Sequence, residues 1–188
     1  MKFIHITDTH LVEAGALLYE LDPLDRLERC IADINRHHGD AEFAIVTGDL
    51  AHSGRLPAYH ALKGAFGKLR LKTWFMLGNH DKREHFLQVF PDSPRDADGF
   101  IQFTFDMPIG RCICLDTNHP DVPWGLLCEK RLAWLSAEHI LWLLLHLFSL
   151  FLPSNYTLLL FVDFVLVHTY SIFHHRLVYP IFVLAYHR

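Results

Sequence analysis

Short apolar runs alternate with amphipathic stretches over the first half of the chain. Three of these runs, at residues 2–7, 43–47 and 72–77, are rich in residues that favour buried strands. Between them, residues 24–34 and 59–69 place aliphatic and aromatic side chains at helical spacing. A third helical stretch follows the third run. This β-α-β-α-β-α order predicts a parallel sheet with both of its faces covered.

Punctuating residues indicate where the predicted helices begin and end. Asp22 followed by Pro23 is a strong start signal, and Gly39 closes the same helix. Asp81 is expected to cap the third helix, which ends at Phe90 because a proline follows.

The pattern then changes to that of neighbouring strands. Residues 100–106 alternate between apolar and polar, and residues 112–116 form an apolar run that ends in Asp116, so we expect two adjacent strands joined by a turn. Residues 129–139 have the spacing of a helix, with Leu132 and Leu135 expected to face inward.

The composition changes abruptly at residue 140. Residues 140–188 contain no Gly, Lys, Glu or Gln, and their only charged residues are Asp163, Arg176 and Arg188. Membrane association, an unusually apolar half of the core, and a frame-shifted or degenerate segment are three explanations. No apolar run there is long enough to span a bilayer, and we favour the third explanation. The sequence thus predicts a domain over residues 1–139 and an atypical apolar tail.

The charge balance excludes one class of partner. The chain carries 17 Lys and Arg against 21 Asp and Glu, with a net charge of −4 and a pI near 6.4. Proteins that bind nucleic acids or anionic membranes usually show a basic surface. We therefore expect no nucleic-acid partner.

The cysteines do not predict a metal site. Cys30, Cys112, Cys114 and Cys128 lack C-x-x-C spacing, and the middle two fall on one face of a predicted strand, so reduced structural thiols are expected. The first residues lack the charged-then-apolar order of a signal peptide. A cytoplasmic location is the expectation that follows.

Each predicted parallel strand is followed by side chains of the kind that bind metals. Asp8 and His10 follow the first strand, Asp49 the second, and Asn79 and His80 the third. Taken singly, each motif is more often a turn or a helix cap. Together they favour a site, because the carboxyl ends of parallel strands share one edge of a sheet. Oxygen and nitrogen ligands without thiolate suit Mn, Fe, Zn or Co.

Such a site has a definite chemistry. Two neighbouring cations can clamp a phosphoryl group and acidify a bridging water. His80, adjacent to a candidate ligand, could stabilise charge in the transition state or donate a proton to the leaving group.

The three motifs D-x-H, G-D and G-N-H-D resemble those of the calcineurin-like metallophosphoesterase superfamily. The segment Ser53-Gly54-Arg55 and the helix around residues 131–135 resemble the class III cyclic-nucleotide phosphodiesterases and glycerophosphodiesterases within it. The resemblance covers about residues 1–139. It implies a four-layer α/β/β/α sandwich, incomplete at the C-terminus, with a dinuclear metal centre.

The resemblance also implies a role for each matched residue. Asp8 and His10 would hold the first metal, Asp49 would bridge, Asn79 would hold the second metal, and His80 would be the outer catalytic histidine. The implied reaction is hydrolysis of a small phosphodiester, a 3′,5′-cyclic nucleotide or a glycerophosphodiester, by a metal-activated hydroxide.

Two further residues lie close to the metal motifs in sequence. His52 and Arg55 are near enough to Asp49 to contact substrate, and a role in a solvent-exposed loop is the alternative.

The sequence departs from the family in its second half. The family supplies three more histidine ligands, one from a His-His-Pro-Pro-like segment and two from Gly-His-x-His, and neither motif is present after Gly125, the last glycine. His168 occupies a position like that of the first missing ligand, and other histidines could substitute (His174, His175 and His187). The chain is therefore expected to hold one metal ion where the family holds two. The competing hypothesis is an impaired relative that acts only by binding a metal, a partner or a membrane.

Overall fold

The computed structural model describes residues 1–107, 110–120 and 122–138, together with the backbone of residues 164–166 and 184–185. The strands and helices in chain order are β1 (Ile4–Ile6), α1 (Pro23–His37), β2 (Ala44–Thr47), α2 (Leu56–Phe66), β3 (Thr73–Met76), α3 (Arg83–Val89), β4 (Phe103–Met107), β5 (Gly110–Cys114), α4 (residues 129–138), β6 (Phe164–Leu166) and β7 (Leu184–Ala185). The predicted order of elements is confirmed, and the strands are shorter than their apolar runs.

The first sheet has the strand order β3-β2-β1-β7. β1, β2 and β3 are parallel, as predicted, and β7 is antiparallel to β1. The crossovers through α1 and α2 run in the same direction along the sheet, so right-handed connections place both helices on one face. Asn35 of α1 ties the two helices together, since its Nδ2 donates to the carbonyl of Lys68 at 2.8 Å.

The second sheet covers the other face of the first. It has the order β4-β5-β6, with β4 and β5 antiparallel and β6 parallel to β5. Trp74 of β3 stacks on Phe105 of β4 with ring centroids 5.0 Å apart. The next residue, Phe75, points to the opposite face. Its ring centroid lies 6.2 Å from that of Phe86 in α3. Alternate side chains of β3 therefore face the second sheet and the helices.

The fourth layer is α4. Glu138 of this helix accepts a hydrogen bond from Thr104 of β4 at 3.3 Å, on the face of the second sheet that points away from Phe103 and Phe105. The α/β/β/α architecture expected from the resemblance is confirmed.

The expected inward position of Leu132 is wrong. Leu132 is 46% exposed, whereas the preceding Arg131 is 2% exposed. Nη1 of Arg131 donates to the carbonyls of Asp116 and Asn118 at 2.7 and 3.1 Å. The guanidinium also lies 4.7 Å from the ring centroid of Phe100. The two hydrogen bonds from Nη1 and the contact with the Phe100 ring offset the burial of the charge, so Arg131 takes the position that periodicity alone assigns to an apolar residue.

The helix ends test the capping predictions. Oδ1 of Asp22 accepts from the amides of Leu24 and Asp25 at 2.9 and 3.1 Å, so the predicted cap of α1 is confirmed. The predicted cap of α3 is wrong, because α3 begins after Lys82 without a side-chain cap, and Asp81 is buried in other contacts.

The tail predicted over residues 140–188 lies outside the described residues, except for the backbone of β6 and β7. Within the described part of the chain, no helix has both the length and the apolar character needed to cross a bilayer.

Candidate metal centre

Three loops meet at the carboxyl edge of the first sheet. They follow β1, β2 and β3 and comprise residues 8–11, 48–52 and 78–81. The first two run side by side. The amide of Asp8 donates to the carbonyl of Gly48 at 3.2 Å, and the amide of His10 donates to the carbonyl of Asp49 at 2.9 Å. The parallel pairing of β1 and β2 thus continues beyond the strands and sets the candidate ligands opposite each other.

Two glycines bring the second and third loops into backbone contact. A Cβ on Gly48 would lie 2.6 Å from the amide nitrogen of Gly78, and Gly48 has a φ of +97°. A Cβ on Gly78 would overlap the backbone and the carboxylate of Asp49. The glycines of the G-D and G-N-H-D motifs therefore allow the close approach that places Asp49 beside the third loop.

The buried carboxylate of Asp81 holds the second and third loops together. Its Oδ2 accepts from the amides of Leu50 and Gly78 at 3.0 and 2.9 Å. Its Oδ1 accepts from the amide of Ala51 and the hydroxyl of Tyr59, both at 3.0 Å. Burial raises the pKa of Asp81 to about 6, and the hydrogen bonds from the three amides act against that rise. The carboxylate thus joins two loops and α2, which explains why it is not the helix cap.

Asp8, His10 and Asp49 converge at the edge formed by these loops. One ligand atom from each lies within 4.8 Å of the others. Nε2 of His10 is 3.6 Å from a carboxylate oxygen of each aspartate. The three residues have φ values of +56°, +41° and +47°, which L-residues rarely adopt. Such strain persists where the surrounding structure enforces it, and it is concentrated at functional sites.

Asn79 supplies an observation that bears on cation binding. Its Oδ1 is buried and has no hydrogen-bond partner among the described residues. Leaving a buried carbonyl oxygen unsatisfied costs about 1–3 kcal/mol, and a divalent cation would satisfy it. Two carboxylates, an amide oxygen and imidazole nitrogens form a donor set that suits a hard or borderline divalent ion. The residues present therefore fit a metal.

His52 and His80 join His10 in a second group. One ring nitrogen from each of the three lies within 4.8 Å of the others. The ring centroids of His10 and His80 are 4.8 Å apart, and those of His52 and His80 are 5.4 Å apart. Burial lowers the pKa of His52, and the neighbouring imidazoles lower it further. The sequence predicted His52 as a residue that contacts substrate and did not group it with the other two histidines. A single polar residue in a loop does not indicate which distant side chains it will contact.

Asn118 supports the third loop from the end of β5. Its Nδ2 donates to the carbonyls of Gly78 and Asp81 at 2.6 and 3.1 Å. Asp116, fully buried, pairs with Arg83 of α3 through two bonds of 2.7 and 2.8 Å and accepts from the amide of Asn118 at 3.0 Å. Sequence reasoning missed this network. The available signal was the polar triplet 116–118 directly after an apolar strand.

Two candidates remain. Arg55 directly precedes α2, and its side chain is exposed. His168, the candidate for a missing ligand, lies outside the described residues.

A four-layer α/β/β/α sandwich with carboxylate, amide and imidazole side chains on loops at one sheet edge defines a metallophosphoesterase fold. The comparison with known families agrees with this class. The chain belongs to the calcineurin-like phosphoesterase family, whose model matches residues 1–172.

Several curated relatives match the chain in part. It is 50% identical over 143 residues to a probable cyclic nucleotide phosphodiesterase of Rhodopseudomonas palustris, covering 75% of this chain and 52% of the relative. It is 29% identical over 141 residues to a probable glycerophosphodiester phosphodiesterase of Arcobacter nitrofigilis, covering 73% and 51%. It is 30% identical over 145 residues to a cAMP/cGMP dual specificity phosphodiesterase of Mycobacterium tuberculosis, covering 72% and 44%. The chain spans about half the length of the curated relatives that it matches.

A solved structure also matches. Purple acid phosphatase PPD1 from yellow lupin seeds aligns with a TM-score of 0.45 and 14% identity, covering 74% of this chain and 26% of that one.

Proposed function

We propose that the chain carries the metal-binding half of a metal-dependent phosphodiesterase that hydrolyses a small phosphodiester. The observation that carries this proposal is the convergence of Asp8, His10 and Asp49 within 4.8 Å at the edge of a parallel sheet. The buried oxygen of Asn79, which has no hydrogen-bond partner among the described residues, supports it from the loop after β3. The family and the names of the partial relatives favour phosphodiester hydrolysis as the class of reaction.

In this proposal Asp8, His10 and Asp49 would hold one cation, while Asp49 and Asn79 alone would bind a second cation only weakly. A bound divalent cation would neutralise charge on the phosphoryl oxygens and acidify a water molecule. The chain's own contribution is to fix the ligands in place. The amide of His80 donates to Oδ1 of Asp49 at 3.1 Å, and the hydroxyl of Thr7 donates to Oδ2 of Asp8 at 2.6 Å. These bonds orient both carboxylates before any ion arrives.

His80 is the proposed catalytic histidine. Its Nδ1 lies 2.6 Å from the carbonyl oxygen of His52. A carbonyl only accepts, so Nδ1 carries a proton and Nε2 is the atom left to exchange one. In the protonated ring, the proton on Nε2 would pass to the oxygen of the departing alkoxide as the bond to phosphorus breaks.

Either a cyclic nucleotide or a glycerophosphodiester is a candidate substrate, since relatives of both kinds match. We propose that His52 lines the substrate side of the centre, next to the ring of His80, and that Arg55 reaches the substrate from the start of α2. We also propose that this chain holds one ion and acts in the cytoplasm. The absence of Gly-His-x-His from the sequence supports the single ion.

The test is Mn²⁺-dependent hydrolysis of bis(p-nitrophenyl) phosphate, with Mn²⁺ binding followed in parallel by electron paramagnetic resonance. We expect slow turnover that is lost in Asp49→Ala, because this carboxylate belongs to the only group of candidate ligands in the described residues that contains two acids. Asp92→Ala, at an exposed aspartate, is the matched control. Equal turnover and equal Mn²⁺ affinity in Asp49→Ala and the parent chain would contradict the proposal. Comparison of cAMP with a glycerophosphodiester then identifies the substrate class.

A further inference from the structure

We propose that His10, His52 and His80 form a second cation site, selective for an imidazole-preferring divalent ion of the zinc class. One ring nitrogen from each lies within 4.8 Å of the others, and the three residues come from the three different loops that follow β1, β2 and β3. His52 is absent from the ligand set that the family motifs imply. The proposed site therefore shares only His10 with the carboxylate group Asp8–His10–Asp49.

The hydrogen bonding of His80 leaves a ligand atom available. Nδ1 of His80 donates to the carbonyl of His52 at 2.6 Å. In the neutral ring, Nε2 therefore has a lone pair that can bind a metal. A second hydrogen bond that fixes the tautomer and orientation of a ligating imidazole is a regular feature of zinc sites.

His52 also presents a nitrogen with no other partner. Its Nδ1 is buried and has no hydrogen-bond partner among the described residues. The backbone of the same residue is held on both sides, since its amide donates to the carbonyl of Leu11 at 2.9 Å and its carbonyl accepts from His80. Metal ligation would satisfy the buried nitrogen at no cost to these contacts.

The ligand type sets the selectivity. Three imidazoles with an open fourth position suit Zn²⁺, Co²⁺ or Cu²⁺, whereas Mn²⁺ and Mg²⁺ prefer carboxylate and carbonyl oxygens. Zinc–nitrogen bonds are about 2.0–2.1 Å long, so nitrogens that share one zinc ion lie within about 4.2 Å of one another, and the three nitrogens here lie within 4.8 Å. The two groups of ligands share His10 and should therefore exclude each other.

The inference stands whether or not the chain hydrolyses a phosphodiester, and its test uses metal binding alone. The full chain is stripped with a chelator and titrated with Co²⁺, whose visible absorption reports a low-coordinate site, and Zn²⁺ is then added to displace it. Mn²⁺ binding is measured in parallel. We examine His52→Ala and His52→Gln, with His60→Ala as the matched control, because His60 is an exposed histidine on α2.

The expected result is a reciprocal pattern. Both His52 variants lose at least about tenfold in Co²⁺ affinity and keep parental Mn²⁺ affinity, which also shows that they are folded. His60→Ala retains both. Asp8→Asn weakens Mn²⁺ binding and retains the visible Co²⁺ bands.

Two results would overturn the site: a parent chain without visible Co²⁺ bands, or His52 variants that bind Co²⁺ and Zn²⁺ as tightly as the parent. Neither result bears on the hydrolytic proposal, which fails instead if Asp49→Ala leaves Mn²⁺ binding and turnover unchanged.

Discussion

Single residues at the sheet edge combine unfavourable local states with close contacts. Asp8, His10 and Asp49 have positive φ values, and Asn79 has a buried oxygen without a hydrogen-bond partner among the described residues. Each of these states costs free energy in the absence of a ligand. Their occurrence in neighbouring loops is what distinguishes this edge from an ordinary set of turns.

Gly78 provides a test at this scale. Gly78→Ala places a methyl group on the backbone and carboxylate of Asp49, so we expect the free energy of unfolding to fall by about 1–3 kcal/mol and Mn²⁺ binding to weaken. Chemical denaturation and Mn²⁺ titration measure the two effects.

The control is Gly64→Ala in α2, where a Cβ would meet nothing within 4 Å. It removes a helical glycine and should stabilise the protein by about 0.5–1 kcal/mol with no change in metal binding. A Gly78→Ala variant with parental stability and Mn²⁺ affinity would show that the close approach is unnecessary.

At the scale of elements, the site depends on how the loops are tied together. Asp81 joins the loops after β2 and β3 to Tyr59 of α2, and Asn118 joins the loop after β3 to the end of β5. The first sheet therefore supplies the candidate ligands, while α2 and the second sheet hold one of their loops in place.

Asp81→Asn tests this coupling. Each carboxylate oxygen accepts two hydrogen bonds, so whichever oxygen becomes an NH₂ group leaves two buried donors unsatisfied. We expect the free energy of unfolding to fall by about 2–3 kcal/mol. Asp92→Asn, at an exposed position, should change it by less than about 0.5 kcal/mol. Equal midpoints for the two variants in urea would mean that Asp81 does not couple the elements.

At the scale of the whole molecule, the two sheets pack through aromatic side chains, and two late strands complete them. β6 pairs with β5 and β7 pairs with β1, so backbone from the predicted apolar tail enters both sheets. The division of the chain at residue 139 stays a prediction.

The number of bound ions is the prediction for the whole chain. The two groups of candidate ligands share His10, and the sequence lacks the family's later histidine motifs, so we expect about one divalent ion per chain. Elemental analysis of the purified protein measures this number directly. Two tightly bound ions would show that histidines of the tail complete a dinuclear centre, and a complete lack of binding would weaken the enzymatic proposal.

The sequence by itself determined the order of elements, the parallel sheet and the edge at which Asp8, His10, Asp49 and His80 gather, because strand ends are encoded locally by apolar runs and glycine turns. Only the tertiary structure decided that Asp81 joins loops, that Arg131 displaces Leu132 from the inward position, and that His52 meets His10 and His80. These outcomes depend on which buried polar groups find partners far away along the chain. Local periodicity does not contain that information, since a hydrogen bond across the fold can outweigh the preference of a single position.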